Sequence, residues 1–382
     1  MKKLILILLC FVSVPLLGTG YYVSPTGDDS NTGLSDTQAW QTITKVNAVW
    51  AAGTFAPGDV IYFKRGGTWY GTLTVKESGI STDPITVTAY GIGADPILTG
   101  LQEITSWTDV GGGIYSNTVA ATDPNMLVFD GQNMKKGRWP NTTYNLLDGA
   151  TSTSLTDAAL SAMPDLTGAE VVVRSWHALL QRRTITSKTG STINYSATTL
   201  TPGVGYGYFI QNDTNLLDSF REWAYRDNTL YVYFSEADPS EYEVKLSRLS
   251  YAISIIDHSY IDITDITIEG GNIANVYLYN ADHINITDCT IRFSGKNGVY
   301  GASNSDYITI DGCEFSDNNN TAINVGYAPG AIISGNYITR SGYLHGMGGS
   351  SDQDYSGIIA MGNYTQIIHN DVLYSGYDGI AW

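Results

Sequence analysis

The amino-acid sequence predicts an all-β fold, a right-handed parallel β-helix, from three observations. Short runs of β-branched and aromatic residues recur every 23 or 24 residues, Asn, Asp and Gly interrupt each run, and the repeats contain no helical hydrophobic period. A single unit of this kind cannot bury its apolar face, whereas stacked units bury a continuous core. Parallel strands about 4.8 Å apart are the arrangement that stacks them.

The repeat is clearest in residues 249–382, which we assign to the coils of the helix. Successive blocks begin at Ile263, Ile286, Ile310, Ile333 and Ile368, with offsets of 23, 24, 23 and 35 residues. A second apolar column follows the blocks at Val276, Val299, Ile323, Ile358 and Ile380. Because a solenoid needs a terminal cap and the sequence stops inside a coil, we expect missing C-terminal coils and a missing cap.

Residues 1–20 have the features of a secretory signal peptide. Lys2 and Lys3 precede an apolar run at 4–17, and small residues follow at 18–20. The run of about 14 residues is short for a transmembrane helix, which is the alternative interpretation. We therefore expect a protein without a transmembrane segment, secreted or held at the cell surface.

Residues 21–120 are interpreted as an N-terminal cap with the first coils, and 121–248 as a β-rich insertion. In the first segment, Ile61 recurs 24 residues later at Ile85, and Leu73 at Ile97. The second segment breaks this rhythm, although it keeps strand-like runs, and a short helix is expected within 145–168.

Composition limits the partners and the scaffold. A net charge of −17 argues against nucleic acid, whose binders need a basic footprint. The same charge disfavours a polyanionic substrate unless a local basic groove or a bound cation reverses the field. Cys289 and Cys313 occupy the same repeat position, which indicates two stacked apolar side chains or a disulfide. We expect a monomer without an organic cofactor.

The coil between Ile338 and Ile358 is enlarged by a loop rich in Gly and Ser, at 340–356. Insertions in repeat proteins often carry the binding face, so we place the site there. His345 is the first candidate for a catalytic base, and an exposed loop histidine without a role is the alternative. Asp352 and Asp354 are candidate Ca²⁺ ligands, although solvated turn residues have the same pattern.

Further candidates lie on the coils around the loop. Lys296, Arg340, His369 and Asp378 are interpreted as catalytic. A solvated turn residue is the alternative for Lys296 and for Asp378, which suits a hydrolase. Arg340 begins the loop, where it would contact substrate, and His369 is expected to point outward from the last strand block. Aromatic faces and cationic side chains that would contact sugar are those of Tyr343, Tyr355, Tyr377 and Arg292.

Several segments resemble secreted bacterial β-helix proteins related to pectate lyases, alginate lyases and their glycosidase neighbours. They lie at 21–33, 40–43, 57–61, 79–87 and 89–91, and in the insertion at 137–141 and 221–223. The resemblance implies this fold, secretion and a polysaccharide as the partner, whereas no catalytic motif of a single lyase family matches residue by residue. The fold hosts several reactions, so the resemblance does not identify one. We favour a polysaccharide lyase slightly over a glycoside hydrolase. The alternative is a non-catalytic surface or adhesion protein that binds glycans.

Overall fold

A computed structural model describes residues 18–177 and 179–382, and it has the predicted right-handed parallel β-helix. Most of the predicted signal peptide, residues 1–17, lies outside the described residues. In the described part, no helix is long and apolar enough to cross a membrane. Each coil contributes one strand to each of three parallel sheets, which we number in the order in which the chain visits them.

Sheets 1, 2 and 3 run the length of the helix, and strands of each sheet pair in parallel with the coils above and below. The strands of sheet 1 are Gly20–Val23, Val60–Lys64, Ile85–Tyr90, Ile261–Thr264, Ile284–Thr287, Thr309–Asp311, Ile332–Ser334 and Gln366–Ile368. Those of sheet 2 are Thr68–Tyr70, Ile97–Thr99, Thr267–Glu269, Thr290–Arg292, Glu314–Ser316, Tyr337–Thr339 and Asp371–Leu373. Those of sheet 3 are Leu73–Val75, Leu249–Ile256, Gly271–Tyr279, Asn297–Gly301, Ile323–Gly326, Ile358–Ala360 and Ile380–Ala381.

The core consists of columns of inward-facing side chains, because alternate residues of a strand point to opposite faces. Ile263, Ile286 and Ile310 stack in one column, each no more than 1% exposed. Cys289 and Cys313 are buried free thiols that stack on adjacent coils, as the ladder interpretation predicted.

The start of the helix is covered by the α-helix Ile43–Ala51, which follows the 3₁₀ helix Asp36–Gln38. The hydroxyl of Thr42 caps this α-helix by accepting a hydrogen bond from the Lys45 amide at 3.1 Å. Its buried side chains join the core of the first coils, and they are Ile43, Val46 and Trp50.

The last coil is shifted by one residue from its predicted register. Ile333 pairs with Ile367, so the offset is 34 residues, whereas the sequence analysis aligned Ile333 with Ile368. Two adjacent isoleucines made the apolar pattern ambiguous, and a slip of one residue moves each side chain to the other face. Ile368 is accordingly 37% exposed. Asn370 continues the column of Asn336, whose Nδ2 donates to Asn370 Oδ1 at 2.8 Å.

The predicted stacking of the first coils was also wrong in detail. Ile61 pairs with Val87 rather than Ile85, and Leu73 lies in sheet 3 whereas Ile97 lies in sheet 2. Short strands of similar composition occur in all three sheets, so composition alone cannot distinguish one sheet from another.

The insertion forms a lateral unit, defined here as residues 101–247, which starts earlier than the predicted residue 121. It leaves the helix where sheet 2 turns toward sheet 3. The helix is not divided in two, because Ile85 pairs directly with Ile261 across the insertion.

In the part that the structure describes, residues 101–177 and 179–247, the lateral unit contains three antiparallel sheets and three 3₁₀ helices. Sheet 4 has the strands Leu101–Glu103, Leu127–Phe129, Gln132–Asn133 and Val244–Ser247. Sheet 5 has Arg138–Trp139, Asn145–Leu146, Gly149–Ala150, Ser154–Thr156, Glu170–Arg174, Leu180–Thr189, Thr192–Tyr195 and Gly207–Gln211. Sheet 6 has Thr108–Gly111, Ile114–Thr118, Trp223–Arg226 and Thr229–Tyr233, and the 3₁₀ helices are Ala158–Ala162, Thr214–Leu216 and Pro239–Glu241.

Candidate functional site

The enlarged loop, residues 340–356, packs against the lateral unit. Both depart from the turn between sheets 2 and 3, so they lie on the same side of the helix. Met347 is fully buried in an apolar cluster of the lateral unit with Phe129 and Trp223. Met347 therefore anchors the loop to the lateral unit by apolar packing.

Hydrogen bonds hold the loop backbone beside this anchor. The carbonyl of Gly346 accepts from Gln211 Nε2 at 3.0 Å and from Arg182 Nη1 at 3.3 Å. The side-chain amide of Asn125 donates to the Met347 carbonyl. Buried carbonyls need such partners, so the lateral unit satisfies the polar groups that the loop brings into the interface.

A cluster of buried charges lies behind this interface. Lys136 Nζ is 2.9 Å from Glu170 Oε1, and Arg182 Nε is 4.0 Å from Glu170 Oε2. Burial opposes ionisation of Glu170, but Lys136 and Arg182 outweigh it and lower the pKa of Glu170 to about 2. Burial also lowers the pKa of Lys136, against the opposing effect of Glu170.

Groove 1 is an open cavity of about 370 Å³ between the lateral unit and the loop. Its cationic side chains are Lys135, Lys136 and Arg138, and His345 faces it from the loop. None of its lining residues is acidic, although the whole chain carries a net charge of −17. The residues around groove 1 are Lys135, Lys136, Arg138, Gln211, Tyr343, Leu344, His345, Ser375 and Gly376.

His345 pairs with a tyrosine of the lateral unit. Its Nδ1 is 2.8 Å from the hydroxyl oxygen of Tyr144, 201 residues earlier in the chain. Burial, followed by the positive charges of Arg138 and Arg174, lowers the pKa of His345. Burial raises the pKa of Tyr144, so at neutral pH the pair consists of an uncharged imidazole and a phenol. In the tautomer whose Nδ1 donates to Tyr144, Nε2 has a free lone pair and can accept a proton.

Groove 2 adjoins groove 1 and has a volume of about 350 Å³. Tyr343 and Leu344 line both cavities, so the two lie side by side. Arg340 projects into groove 2 and binds Asp317 with two parallel hydrogen bonds, of which Nε to Oδ1 measures 2.8 Å. The other residues around groove 2 are Gly131, Gln132, Asn133 and Met134.

The structure brings His345, Arg340 and Tyr343 together in the grooves, and it places the other predicted catalytic residues elsewhere. Lys296 lies in a turn two coils below, on the side of Asp354. His369 has φ +53° and lies in the corner between sheets 1 and 2. The sequence analysis placed it within a strand because it aligned the last coil one residue too late. Asp378 is exposed, and its carbonyl accepts from the Gly357 amide at 2.9 Å, so it adjoins the end of the loop.

The predicted sugar contacts and ligands are also separated. Tyr355 is only 4% exposed, with its hydroxyl donating to Gly349 at 3.3 Å, so it supports the loop and cannot stack on sugar. Arg292 is paired with Glu269 at 2.9 Å on sheet 2, away from the grooves. Tyr377 is 46% exposed on the turn above the loop. None of these three lines a groove.

The two predicted calcium ligands do not converge with further acids. Asp352 is exposed, whereas Asp354 accepts from Asn320 Nδ2 at 2.7 Å and from the Ser351 amide at 2.6 Å. Residues 18–177 and 179–382 contain no group of three or more potential metal ligands. Calcium binding at this loop stays a prediction.

Sequence reasoning missed the cations of the lateral unit. Lys135, Lys136 and Arg138 stand within four residues in a chain with only 20 Lys and Arg, and this density was the available signal. Tyr144 and Gln211 had no local signal, because each is defined by its contact with the distant loop.

Comparisons with known proteins agree with the fold. Residues 251–381 match the family model described as a right-handed β-helix region. A solved structure titled "Glycoside hydrolase" superimposes with a TM-score of 0.61 at 15% identity, covering 90% of this chain and 79% of the other. Another, titled "The complex structure of XylC with xylose", has a TM-score of 0.54 at 15% identity and covers 92% of this chain and 58% of the other. No curated protein sequence matches this chain. At this identity the likeness is one of fold.

Proposed function

We propose that this chain belongs to a secreted enzyme that cleaves an acidic polysaccharide by β-elimination, with His345 as the base. The observation that carries the proposal is groove 1, where an imidazole with a lowered pKa faces a cavity lined by cations and by no acid. Secretion rests on the predicted signal peptide at residues 1–20.

The charge of groove 1 suits a uronate. An acidic protein repels polyanions in general, so a cationic cavity on it selects where a polyanion binds. The ammonium group of Lys135 is the most accessible of the three cations, with 39% of its side chain exposed, and its partner is the buried carboxylate of Glu222 at 3.3 Å. Arg138 is buried and acts through its field, whereas the charge of the buried Lys136 is paired with Glu170 at 2.9 Å. Lys135 and Arg138 would lower the pKa of the C5 proton by stabilising the negative charge that forms on the carboxylate.

His345 supplies the second requirement of the reaction. Nε2 takes the C5 proton, the C5 electron pair forms the new double bond to C4, and the C4–O bond breaks. Water protonates the departing oxygen. Because Tyr144 holds Nδ1, the imidazole keeps one orientation while it accepts the proton. The uncharged imidazole is the form that a base needs at neutral pH.

The shape of the site suits a long substrate. Grooves 1 and 2 adjoin and are open, and Tyr343, which is 58% exposed, lies between them. A polymer can therefore lie along the two grooves with one sugar in each groove and the ring of Tyr343 between them.

A glycoside hydrolase is the second candidate, because burial raises the pKa of Asp354, as a general acid requires. The exposed Asp378 on the adjoining turn would be its partner carboxylate. The two structures of similar fold are titled as a glycoside hydrolase and as a complex with xylose, which also agrees with this candidate.

One experiment separates the candidates. The chain is incubated with uronate polymers and neutral polymers while the ultraviolet absorbance of unsaturated uronates and the number of reducing ends are followed. We expect the absorbance to rise when the parent chain is incubated with uronate polymers. It should not rise with His345→Asn, and it should rise more slowly with Lys135→Gln. Lys245→Gln is the matched control, since this lysine lies on the lateral unit outside both grooves, paired with Glu243.

Reducing ends without absorbance, abolished by Asp354→Asn or Asp378→Asn, would show the hydrolase. Binding without any cleavage would indicate the adhesion protein. A chelator added to the active chain tests the calcium prediction, which a loss of activity restored by Ca²⁺ would support.

A further inference from the structure

Glu170 and Arg182 have no part in the proposed proton transfer, yet Arg182 donates to the carbonyl of Gly346, the residue next to His345. Glu170 is 7% exposed, and Gln211 is 1% exposed at the end of the strand Gly207–Gln211. A buried carboxylate is costly unless its hydrogen bonds are all made. Here Lys136, Gln211 and Asn212 all donate to Glu170.

The side-chain amide of Gln211 joins this cluster to the loop. Its nitrogen donates to Glu170 Oε2 at 2.8 Å and to the Gly346 carbonyl at 3.0 Å. An amide nitrogen has two hydrogens, so both are used, and both partners are acceptors. The orientation of the amide is therefore determined, and with it the position of the carbonyl that follows His345.

The backbone at Gly346 has no freedom to move toward the lateral unit. Gly346 has φ +83°, and a Cβ at this position would lie 2.6 Å from Phe209 Cζ and 2.8 Å from Gln211 Oε1. The loop therefore packs directly on the strand that carries Gln211. His345 is the adjacent residue. Its ring contacts Tyr144 and is subject to the positive charges of Arg138 and Arg174.

We propose that Gln211, held by Glu170, is a positioning residue that fixes the loop backbone so that the His345 imidazole meets Tyr144 in groove 1. The role of His345 as a base rests on the proposed function, whereas its position does not. A purely structural role for Gln211 would change stability without changing the environment of His345.

The test compares Gln211→Met with Tyr208→Phe. Tyr208 lies on the same strand, packs in an apolar cluster formed by residues of the lateral unit, and donates a buried hydrogen bond to Asp157 at 2.7 Å. NMR titration of the His345 ring, assigned with His345→Asn among the five histidines, reports its pKa in the chain without substrate. We expect Gln211→Met to raise the pKa of His345 toward its ordinary value, because the imidazole moves away from Tyr144 and from the positive charges of Arg138 and Arg174. Tyr208→Phe should leave this pKa unchanged.

Gly346→Ala disturbs the same contact from the loop side and leaves the charge cluster intact. It should raise the pKa of His345 in the same direction, so the proposal stays testable if Gln211→Met does not fold. An unchanged His345 titration in a folded Gln211→Met or Gly346→Ala variant would overturn the proposal.

Kinetics complete the test on a cleavable polymer. We expect kcat of Gln211→Met to fall at least tenfold, KM to change little, and the acid limb of the pH profile to move to higher pH. Equal kcat values for Gln211→Met and Tyr208→Phe would also overturn the proposal. If no polymer is cleaved, the proposed function fails, while the His345 titration still decides the positioning role.

Discussion

Removal of the buried carboxylate in Glu170→Gln should strongly destabilise the lateral unit. The pKa of Glu170 is lowered from 4.5 to about 2, and at about 1.4 kcal/mol per pKa unit this corresponds to about 3 kcal/mol. Breaking a buried pair by removing one partner typically costs about 3–5 kcal/mol, which agrees with this magnitude. We therefore expect a loss of about 3 kcal/mol near neutral pH.

The pH dependence of stability gives a second readout. Because the folded pKa of Glu170 lies below the unfolded value, its contribution is fully present above about pH 4.5 and is lost as the pH falls toward about 2. In Glu170→Gln, Lys136 loses the partner that raises its pKa, so burial lowers the pKa further. The variant should then regain part of its stability as the pH rises, because the uncharged amine is tolerated in the interior.

Urea unfolding followed by tryptophan fluorescence measures both effects. Glu243→Gln is the matched control, since Glu243 forms an ion pair with Lys245 at 2.7 Å with side chains that are 48% and 31% exposed. Exposed pairs contribute at most about 1 kcal/mol, so this control should unfold nearly as the parent chain does. A Glu170→Gln variant within about 1 kcal/mol of Glu243→Gln, or one whose stability does not rise with pH, would refute the reasoning.

Three further outcomes are expected. His345→Asn should lower kcat by about 10²–10⁴-fold, and the parent rate should rise with pH through a pKa below 6.5, measured as initial rates across pH. Arg340→Ala removes an ion pair whose arginine side chain is 48% exposed, so the free energy of unfolding should change by less than about 1 kcal/mol. The KM for the polymer should rise, because Arg340 lines groove 2. An unchanged KM would show that groove 2 does not bind the substrate. Cys289 and Cys313 should react with a thiol reagent only after unfolding, as measured by mass spectrometry of the labelled peptides, and rapid labelling of the native chain would contradict their burial.

The sequence predicted the β-helix because its signal is local and repeated. Each coil must place an apolar residue at the same inward position, so Ile263, Ile286 and Ile310 appear at nearly constant spacing. Register was less secure where two candidates were adjacent, as at Ile367 and Ile368. A hydrogen-bonded ladder distinguishes them, and composition does not.

The candidate site was predicted in part for the same reason. The enlarged loop was visible as a break in the period, and His345 was the one histidine within it. The sequence of the loop does not show which residues it contacts. Whether the loop is exposed or packed depends on the lateral unit, which begins at Leu101.

The sequence by itself therefore determined the all-β solenoid, its coil length and the coil that is enlarged, since these follow from short-range periodicity. Only the tertiary structure decided the cationic groove, the pairing of His345 with Tyr144 and the contact of Gln211 with Gly346. These pairs are 201 and 135 residues apart. No local pattern specifies which distant side chains meet, because that is decided by how the lateral unit packs on the helix and which buried polar groups must be satisfied there.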